Sequence, residues 1–564
     1  MSRKYFSIVC SKAKHTKIKL FSDYYEEIKA YKNIVACSSL SRYLSDHNKD
    51  KNKSNEEASD CTEKRGLENK RFMDMRLNEM NSDAERDWYP HKFGYTMTVQ
   101  DFNKKFSNIN DLDQVSHADI RLCGRITRIR KQGKKLNFID IQQDESIIQV
   151  KTSANAYLGD FMKDMEIIKR GDIIGVEGSP TVTKSGELSL LSKSMTMLSP
   201  TLKLIPGQAI VDTDLRQRKR HLDLLTNSER RGVFRIRARV ISEIRSYLDH
   251  QGFLEVETPI LTDGIGGANA AAFNTYHNVL DMKMSLRIAP ELHLKTLVVG
   301  GYDRVYEIGK QFRNEGIDPT HNPEFTSCEF YMAYADYVDL MAITKNLLSQ
   351  TAGKALSVQS TSDLNVNDRL CAAFIDKSYE EVEFIPALEI ATGAKFPDAA
   401  ELTDDSDEAV KFLISLCEKS GTNINERKTS KLLDKLFSKL IEPELKLPTF
   451  VLHHPSSMCP LAKEHRSIKG ISERFELFAG GIELVNAYTE LNDPVEQQKQ
   501  FIKQKQSKKM SLEDCNIEKE FVDALEYGLP PTAGWGLGLD RFVMLLTKQS
   551  SIREVLLFPT MRKI

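Results

Sequence analysis

The sequence predicts an α+β protein in which a small β-barrel precedes a larger unit of mixed helices and strands. Short β-prone runs separated by turn residues follow one another between residues 120 and 191, which is typical of a small barrel. After residue 226 the hydrophobic period changes to that of an amphipathic helix. With 564 residues, 40% of them hydrophobic, the chain can bury more than one core.

Composition excludes several functional classes. Lys+Arg total 79 and Asp+Glu 80, so a net charge of −1 supplies no overall field, and any polyanion must meet a local basic patch. The 9 cysteines form no C-x-x-C pair, which argues against a zinc site or a disulfide framework and favours a reducing compartment. The apolar runs are far shorter than the ~18 to 20 residues needed to cross a bilayer, so we expect no membrane partner.

Residues 1–92 are predicted to be a basic, highly charged N-terminal extension. Residues 1–22 contain Lys and Arg but no Asp or Glu. This composition fits an organellar targeting segment, a basic arm that contacts RNA phosphates, or a disordered tail. From Asp50 to Arg86 charges of both signs alternate with few aromatics, so we expect a solvated helix or linker without a core.

Residues 93–200 are predicted to form the barrel, of the OB-fold kind. Its expected strands are 120–129, 137–141, 147–150, 172–176 and 188–191. The turn-rich segments 131–135 and 184–187 suit hairpin tips. Phe138, on a strand beside basic loops, is either a platform on which a nucleic-acid base stacks or a barrel-core residue.

Residues 201–225 are predicted to be a linker, and residues 226–564 the larger domain. Ser228 is expected to cap a helix whose apolar residues recur at helical spacing until Gly252 ends it. A strand over residues 253–257 then leads into Pro259. Taken alone, this segment indicates only ordinary core.

A second segment, residues 307–331, carries charges at alternate positions of an otherwise apolar hairpin. Strand alternation predicts Arg313 and Glu315 on one face, and Phe325, Glu329 and Tyr331 on one face of the returning strand. Such charges are costly to bury unless they are paired or liganded. They therefore indicate either a site for a phosphate or carboxylate, which a guanidinium fork recognises, or a structural ladder of ion pairs.

The third segment is a strand with alternating glycines, residues 534–538, followed by a helix that Arg541 opens. Alternating glycines permit close approach of a flat ligand, and a helix N-terminus favours anions. A dinucleotide loop is disfavoured because the third glycine follows the second by two residues instead of three.

In this order the three segments resemble motifs 1, 2 and 3 of class II aminoacyl-tRNA synthetases. The resemblance is to the lysyl-tRNA synthetases of the eukaryotic type, from about Trp88 to Phe558. The strings that carry it are RIAPEL at 287–292, FRNEGI at 312–317, HNPEFT at 321–326, NAYTELND at 486–493 and PPTAG at 530–534.

The resemblance implies an anticodon-binding OB-fold and a catalytic domain built on an antiparallel sheet flanked by helices. It implies a homodimer joined through motif 1 around Pro259. It also implies lysine–tRNA ligase activity: ATP and L-lysine give lysyl-adenylate and pyrophosphate, and the lysine then passes to the 3′ end of tRNA(Lys).

Site residues follow from the resemblance position by position. At ATP, Arg313 would contact the α-phosphate and Arg541 the γ-phosphate, both as catalytic residues, and Phe325 would stack on adenine. Glu476 and Glu483 would hold Mg²⁺. The remaining ATP-binding residues are Glu315, His321 and Asn322.

The implied lysine pocket is acidic, because a buried ammonium must be paired. Glu291 and Glu490, with the Tyr331 hydroxyl, would bind the ε-ammonium. Glu329 and the Gly267 backbone would bind the α-amino group, and Asn486 would assist Arg313 at the carboxylate. Tyr488 would form the wall, and Gly536 completes the set. In the barrel, the resemblance implies that Phe138, Gln149 and Glu187 read the anticodon.

One conflict arises within the hairpin that carries these residues. If Gly480 and Gly481 form a two-residue turn, residue 478 pairs with 483, and Glu476 shares a face with Glu483. Strict alternation then puts Asn486, Tyr488 and Glu490 on the opposite face. We therefore predict a bulge near Leu484–Val485.

Three alternatives stay open. Another class IIb synthetase, for aspartate or asparagine, would need a cation or amide where this chain has Glu291 and Glu490. A degenerate, non-catalytic tRNA-binding protein would be expected to lose a motif arginine or a metal-binding acid. A cytoplasmic location is expected, the alternative being an organelle reached through residues 1–50.

Overall fold

The computed structural model describes residues 51–107, 119–264, 266–267, 270–357, 369–402, 405–424, 427–508 and 516–562. The three alternatives for the basic N-terminal segment concern residues outside this range. The chain divides into two compact units, Met1–Leu204 and Ile205–Ile564.

The first unit contains a closed five-stranded barrel with strand order β1-β2-β3-β5-β4. Its strands are β1 (Ile120–Lys131), β2 (Leu136–Gln143), β3 (Ser146–Ser153), β4 (Ile173–Val182) and β5 (Leu188–Ser199). Its helices are α1 (Lys51–Ser82), α2 (Val99–Lys105) and α3 (Phe161–Ile167). All the predicted strands are present and extend further than expected, and both predicted hairpin tips are turns with a glycine at positive φ, Gly133 and Gly186.

The C-terminal part of α1 is packed structure. Met80 and Trp88 belong to the hydrophobic core of the barrel unit, and both guanidinium Nη2 contacts of fully buried Arg76 go to the Asp172 carboxylate at 3.0 Å. The interpretation of residues 50–86 as a solvated segment without core is therefore wrong at Arg76 and Met80. The alternating charges did not reveal this packing, because the sequence alone does not distinguish a buried, paired arginine from an exposed one.

The second unit contains eleven strands and twelve helices among the described residues. The strands are β6 (Leu254–Glu255), β7 (Leu261–Thr262), β8 (Asn274–His277), β9 (Met282–Leu286), β10 (Arg304–Phe312), β11 (Glu324–Ala333), β12 (Glu380–Glu383), β13 (Thr449–Leu452), β14 (Arg474–Ala479), β15 (Ile482–Thr489) and β16 (Thr532–Gly538). The helices are α4 (Thr213–Arg218), α5 (Arg220–Thr226), α6 (Ser228–His250), α7 (Glu291–Val299), α8 (Tyr337–Leu356), α9 (Arg369–Ile375), α10 (Phe384–Thr392), α11 (Asp407–Lys419), α12 (Thr429–Leu440), α13 (Pro494–Lys508), α14 (Asn516–Glu526) and α15 (Leu539–Leu546).

An 8-stranded sheet organises this unit, in the order β12-β13-β14-β15-β16-β11-β10-β6. Neighbours from β13 to β10 are antiparallel, and only the outermost pairs, β12 with β13 and β6 with β10, are parallel. The predicted antiparallel sheet flanked by helices is confirmed, with these parallel edges added. Apolar residues of α6, α8 and α15 share one core with the central strands.

Two local predictions change. Asn227, not Ser228, caps α6, because the Asn227 side chain accepts the backbone N–H of Arg230 while Ser228 is already helical. The segment expected to be a linker holds α4 and α5, in which buried Arg216 bonds to Glu554. No helix in the described part of the chain is both long enough and apolar enough to span a membrane.

Candidate active site

The central strands bring residues from distant parts of the sequence into two parallel rows. In one row Glu329 pairs with Gly536, Gly536 with Asn486, and Asn486 with Glu476. Each strand adds one residue per ~4.8 Å step across the sheet, so this row is a continuous polar strip floored by a glycine. The strip joins residues that are predicted to bind the amino-acid substrate to an acid that is predicted to bind the metal.

The second row runs beside the first and leads to the acidic pocket. Tyr331 pairs with Gly534, Gly534 with Tyr488, and Tyr488 with Arg474. Because residues two apart on a strand share a face, the two rows line the same face of the sheet. The predicted lysine-binding side chains of β11 and β15 therefore lie together.

The predicted bulge is confirmed. Phe478 pairs with Glu483 across the Gly480–Gly481 turn, and the register then shifts so that Leu477 pairs with Val485. Leu484 is the extra residue. The shift returns Asn486 to the face of Glu476, which strict alternation does not allow.

The acidic pocket is closed by carboxylates around one ammonium group. Glu291 is the first residue of α7, and the Tyr488 hydroxyl donates to its Oε1 at 2.8 Å. Glu490, the residue after β15, is 1% exposed. Between them lies fully buried Lys295, whose Nζ is 2.6 Å from Glu291 Oε1 and 2.5 Å from Glu490 Oε2.

Glycines make this pocket possible. A Cβ at position 534 would lie 1.9 Å from Glu490 Oε1 and 2.6 Å from the Tyr331 ring, closer than any side chain tolerates. At Gly536 it would lie 3.5 Å from Glu329 Cγ, an ordinary contact. Gly267 has φ +83° and lies against Glu291. A Cβ added at Gly267 would be 3.2 Å from the Cβ of Glu291.

Arg313 lies just beyond β10. Strand alternation therefore does not apply to Arg313 and Glu315, and the predicted shared face is wrong: the strand ends at Phe312, and Glu315 is exposed in the loop. The Arg313 guanidinium carbon is 5.1 Å from the centre of the Phe325 ring. Its buried Nε has no hydrogen-bond partner among the described residues, so it remains available to a ligand.

The ladder of ion pairs exists, but at another residue. Glu307 is paired with Arg287 at 2.6 Å and accepts the Thr258 hydroxyl at 2.7 Å. These contacts satisfy Glu307 within the fold. The structural alternative therefore applies to Glu307 and does not account for Arg313.

Two of the residues predicted to bind ATP or its metal, His321 and Glu483, contact Arg541. Its guanidinium donates to the Glu483 side chain at 3.2 Å and lies 3.0 Å from His321 Nε2. Buried Asn322 leaves its Oδ1 without a partner in the described part of the chain. Asp540 holds α15 in place because its buried carboxylate accepts the backbone N–H of Thr326 at 2.7 Å.

Burial and like charges raise the pKa of two pocket acids. Burial, reinforced by the charge of Glu291, raises the pKa of Glu329 to about 8 against the opposing charge of Arg313. Burial also raises the pKa of Glu490 to about 8, although the charge of Lys295 opposes it. A cationic ligand would stabilise the ionised forms of both carboxyls and so lower their pKa values.

The two predicted metal-binding acids fit a divalent cation. Burial and the charge of Glu476 raise the pKa of Glu483, whereas Arg474 and His454 overcome burial and lower the pKa of Glu476 to about 2. The two acids lie on neighbouring strands of one hairpin without being directly opposite, since Glu476 pairs with Asn486 and Glu483 with Phe478. Two acids in one hairpin match Mg²⁺, which takes one or two carboxylates together with phosphate oxygens. Among the described residues no group of three His, Cys, Asp or Glu side chains could hold a metal unaided.

Comparison with known proteins identifies the family. Residues 212–562 match the model of class II tRNA synthetases (D, K and N), and residues 120–198 match the OB-fold nucleic acid binding domain. Lysine–tRNA ligase cla4 of Cladosporium cladosporioides is 43% identical over 86% of this chain and 83% of its own. The probable cytoplasmic lysine–tRNA ligase of Encephalitozoon cuniculi is 42% identical over 84% of this chain and 93% of its own. The lysine–tRNA ligase of Carboxydothermus hydrogenoformans is 39% identical over 84% of this chain and 94% of its own.

The chain belongs to the lysine–tRNA ligases of class II. It is therefore an enzyme of the aminoacyl-tRNA synthetase class, as the sequence predicted. The synthetase model alone covers the aspartate and asparagine enzymes too, and the curated relatives distinguish the lysine enzymes from these. Arg313, Arg541, Glu476 and Glu483 are all present, so the loss expected of a degenerate ligase is not found in these positions.

The three predicted anticodon residues of the barrel differ in exposure: Glu187 is exposed, Phe138 half-buried and Gln149 buried. Phe138 alternates with the core residue Ile139, is half-buried, and lies 5.8 Å from the Arg130 guanidinium carbon. The barrel-core alternative for Phe138 is therefore wrong. Gln149 donates to Glu187 at 2.8 Å and accepts from the Ser189 hydroxyl at 3.0 Å.

Sequence reasoning missed two residues of the ligase site. Lys295 follows Glu291 by four residues on α7, so the i,i+4 spacing of opposite charges in an apolar helix was the available signal. Arg474 donates to Asn486 Oδ1 at 3.0 Å and pairs with Glu476, so it connects a predicted lysine-binding residue with a predicted metal-binding acid. Nothing in the spacing of Arg474 indicates that role.

Proposed function

We propose that this chain joins L-lysine to tRNA(Lys) in two steps at the site described above. The single observation that carries the proposal is the buried acid pair Glu291 and Glu490 at one end of a polar strip, with Arg313 along it, whose buried Nε has no hydrogen-bond partner in the described part of the chain. An acid-floored pocket suits an amino acid with a cationic side chain and disfavours aspartate or asparagine.

In the first step an oxygen of the lysine carboxylate bonds to the α-phosphorus of ATP, and the bond to the bridging oxygen of pyrophosphate breaks. The leaving pyrophosphate takes the electron pair. Arg313 aligns the two reactants, because one planar guanidinium can contact both the carboxylate and the α-phosphate. No protein nucleophile is required.

The other site residues bind the two ends of the reactants. The α-ammonium is bound by Glu329 and the Gly267 backbone. The ε-ammonium is bound by Glu291, Glu490 and Tyr331. Asn486 and Tyr488 orient the substrate above Gly536. The nucleotide is held by Glu315, His321, Asn322, Phe325 and Arg541. Mg²⁺, held by Glu476 and Glu483, would neutralise charge on the phosphates.

In the second step the 3′ end of the tRNA takes the lysyl group and AMP leaves. Phe138, Gln149 and Glu187 would read the anticodon. Support for this is a half-buried aromatic ring beside a cation, since stacking on an aromatic face binds bases.

We also propose a homodimer through the segment around Pro259. Large apolar side chains flank this exposed proline: Leu254, Ile260 and Leu261 are 47%, 44% and 47% exposed. Clustered exposed apolar side chains are typical of a protein interface. Sedimentation over a range of concentrations tests it, and Ile260→Asp should shift the population towards monomer.

A cytoplasmic location is our proposal because the Encephalitozoon relative carries that description. An organellar route through residues 1–50 is the alternative. A fluorescent fusion of residues 1–50 distinguishes the two by where the label accumulates.

Pyrophosphate exchange into ATP tests the activity. We expect exchange to depend on lysine, to fall by about 10- to 200-fold with ornithine, which is one methylene shorter, and to be undetectable with aspartate. Aminoacylation of tRNA(Lys) should follow. Aspartate-dependent exchange would favour a sister enzyme, and tRNA binding without any exchange would favour a degenerate ligase.

A further inference from the structure

The lysine pocket contains a lysine of the protein itself. Lys295 lies one helical turn after Glu291 on α7, is 0% exposed, and bridges Glu291 and Glu490 at 2.6 and 2.5 Å. Its Nζ also lies 5.9, 5.9 and 5.5 Å from the ring centres of Tyr331, Tyr488 and Phe521. Because an unpaired buried ammonium is very costly, these contacts hold a permanent charge in place.

A charge count shows what this ammonium does. The pocket has three carboxylates, Glu291, Glu329 and Glu490, and one resident cation, Lys295. A bound lysine adds an α-ammonium beside Glu329 and an ε-ammonium beside the acid pair. Three negative charges then face three positive ones, with the substrate carboxylate left to Arg313.

One acid oxygen remains open for the substrate. Both oxygens of Glu490 are buried and accept no hydrogen bond of good geometry among the described residues, and Oε2 is the one that lies within ion-pair distance of Lys295 Nζ, at 2.5 Å. The acid pair is thus already half-neutralised, with one acceptor free. Two carboxylates without Lys295 would repel each other, and one of them would hold a proton.

We propose that Lys295 is a specificity-determining residue: its ammonium is the fixed counter-ion of Glu291 and Glu490 and leaves this acid pair one net negative charge for the ε-ammonium of the substrate. The inference rests on the lysine pocket proposed above.

The alternative is that Lys295 competes with the substrate for the same two acids. The two cases have opposite consequences. A counter-ion supports lysine binding, so its removal weakens binding; a competitor obstructs the site, so its removal strengthens binding. The sign of the change in the KM for lysine therefore distinguishes them.

The pH dependence distinguishes charge from packing. The charged and titratable groups that face Lys295 and Glu490, or act on those that do, are Glu291 on α7, Glu329 and Tyr331 on β11, Tyr488 on β15, and the arginines 287, 313 and 474. Helix α14 packs the uncharged Phe521 against the ammonium. Loss of the Lys295 charge removes the influence that opposes protonation of Glu490, so the defect should be largest at low pH.

The experiment measures the KM for lysine and for ATP by pyrophosphate exchange in Lys295→Met, from about pH 6.5 to about pH 9. We expect the KM for lysine to rise on the order of 10²-fold at neutral pH and the excess to shrink as pH rises, with the KM for ATP changed less than about twofold. Lys345→Met, a partly exposed lysine that also stacks on aromatic rings, is the matched control.

A lower KM for lysine would overturn the proposal in favour of competition. A rise that is the same at every pH would overturn it in favour of packing alone. Unchanged kinetics would do so as well. Wild-type enzyme without lysine-dependent exchange would overturn the proposed function itself, which separates that failure from the failure of Lys295.

A double variant keeps the test valid if Lys295→Met folds poorly. Lys295→Met with Glu490→Gln carries the same net charge as the wild type, because one cation and one anion are removed together. Glu490→Gln alone should raise the KM for lysine about 10²- to 10³-fold, and the KM of the double variant should lie within about threefold of that of Glu490→Gln alone, because Lys295 has then lost the acid that it neutralises. Losses that multiply would contradict the counter-ion role.

Discussion

Gly534 lies directly against the carboxylate of Glu490: a Cβ at position 534 would be 1.9 Å from Glu490 Oε1. The glycine belongs to β16 and the acid directly follows β15, so the close approach is made by the pairing of these two strands. The Glu490 carboxylate can occupy this position only because residue 534 has no side chain.

Gly534→Ala should therefore displace Glu490 and the Tyr331 ring. We expect the KM for lysine to rise on the order of 10²-fold, because the displaced acid no longer pairs with the substrate ammonium. Kinetics of exchange at varied lysine concentration measure it. Gly353→Ala, in α8 with nothing within 4 Å of the added Cβ, is the matched control. A normal KM in Gly534→Ala would mean that the acid does not contact lysine.

Arg313→Ala should reduce pyrophosphate exchange on the order of 10³-fold, since the guanidinium neutralises charge that develops in phosphoryl transfer. The melting temperature should stay near that of the wild type because the buried Arg313 Nε makes no hydrogen bond within the described residues. Exposed Arg427, changed to Ala, controls for the loss of a positive charge. Exchange at the wild-type rate would refute the role of Arg313.

Lysine affinity should increase with pH between about 6 and 8. Burial raises the pKa values of Glu329 and Glu490 to about 8 in the ligand-free enzyme, so each carboxyl takes up a proton at a higher pH than an ordinary carboxyl does. The two substrate ammonium groups favour the ionised forms of these acids, so binding at low pH must release protons from them. At higher pH the acids are already ionised, and binding no longer includes this unfavourable deprotonation. The ligand-free fold loses stability over the same rise, because its buried acids resist ionisation.

Calorimetric titration with lysine in two buffers of different ionisation enthalpy counts the protons released. Lysine should also raise the melting temperature more at pH 8 than at pH 6. Proton uptake on binding, or an affinity that falls as pH rises, would contradict the assignment of these two acids to the substrate.

Phe138→Ala should leave lysine-dependent exchange unchanged and lower kcat/KM for tRNA charging by about 10- to 100-fold, since stacking on an aromatic ring contributes ~1 to 3 kcal/mol per base. Both reactions are assayed on one preparation. Leu158→Ala, an 81% exposed apolar residue of the same unit, is the control. Equal losses in the two reactions would indicate a folding defect instead of a tRNA contact.

Local patterns succeeded where neighbouring residues decide the conformation. The Gly480–Gly481 turn and the bulge at Leu484 follow from the pairing of residues within one hairpin, and the structure has both. Alternation failed at Arg313 because it assumed that the strand continues past Phe312. The helix cap moved from Ser228 to Asn227 because both residues can accept a backbone N–H and only the local geometry chooses.

The sequence by itself determined the barrel, the sheet strands, the family motifs and the identity of the acids, because each depends on residues close together in the chain. Only the tertiary structure decided that Lys295 meets Glu490 and that Gly534 lies between Tyr331 and Tyr488. The physical reason is that these contacts join strands and helices far apart in sequence, and strand order and register select the partners of a buried charge.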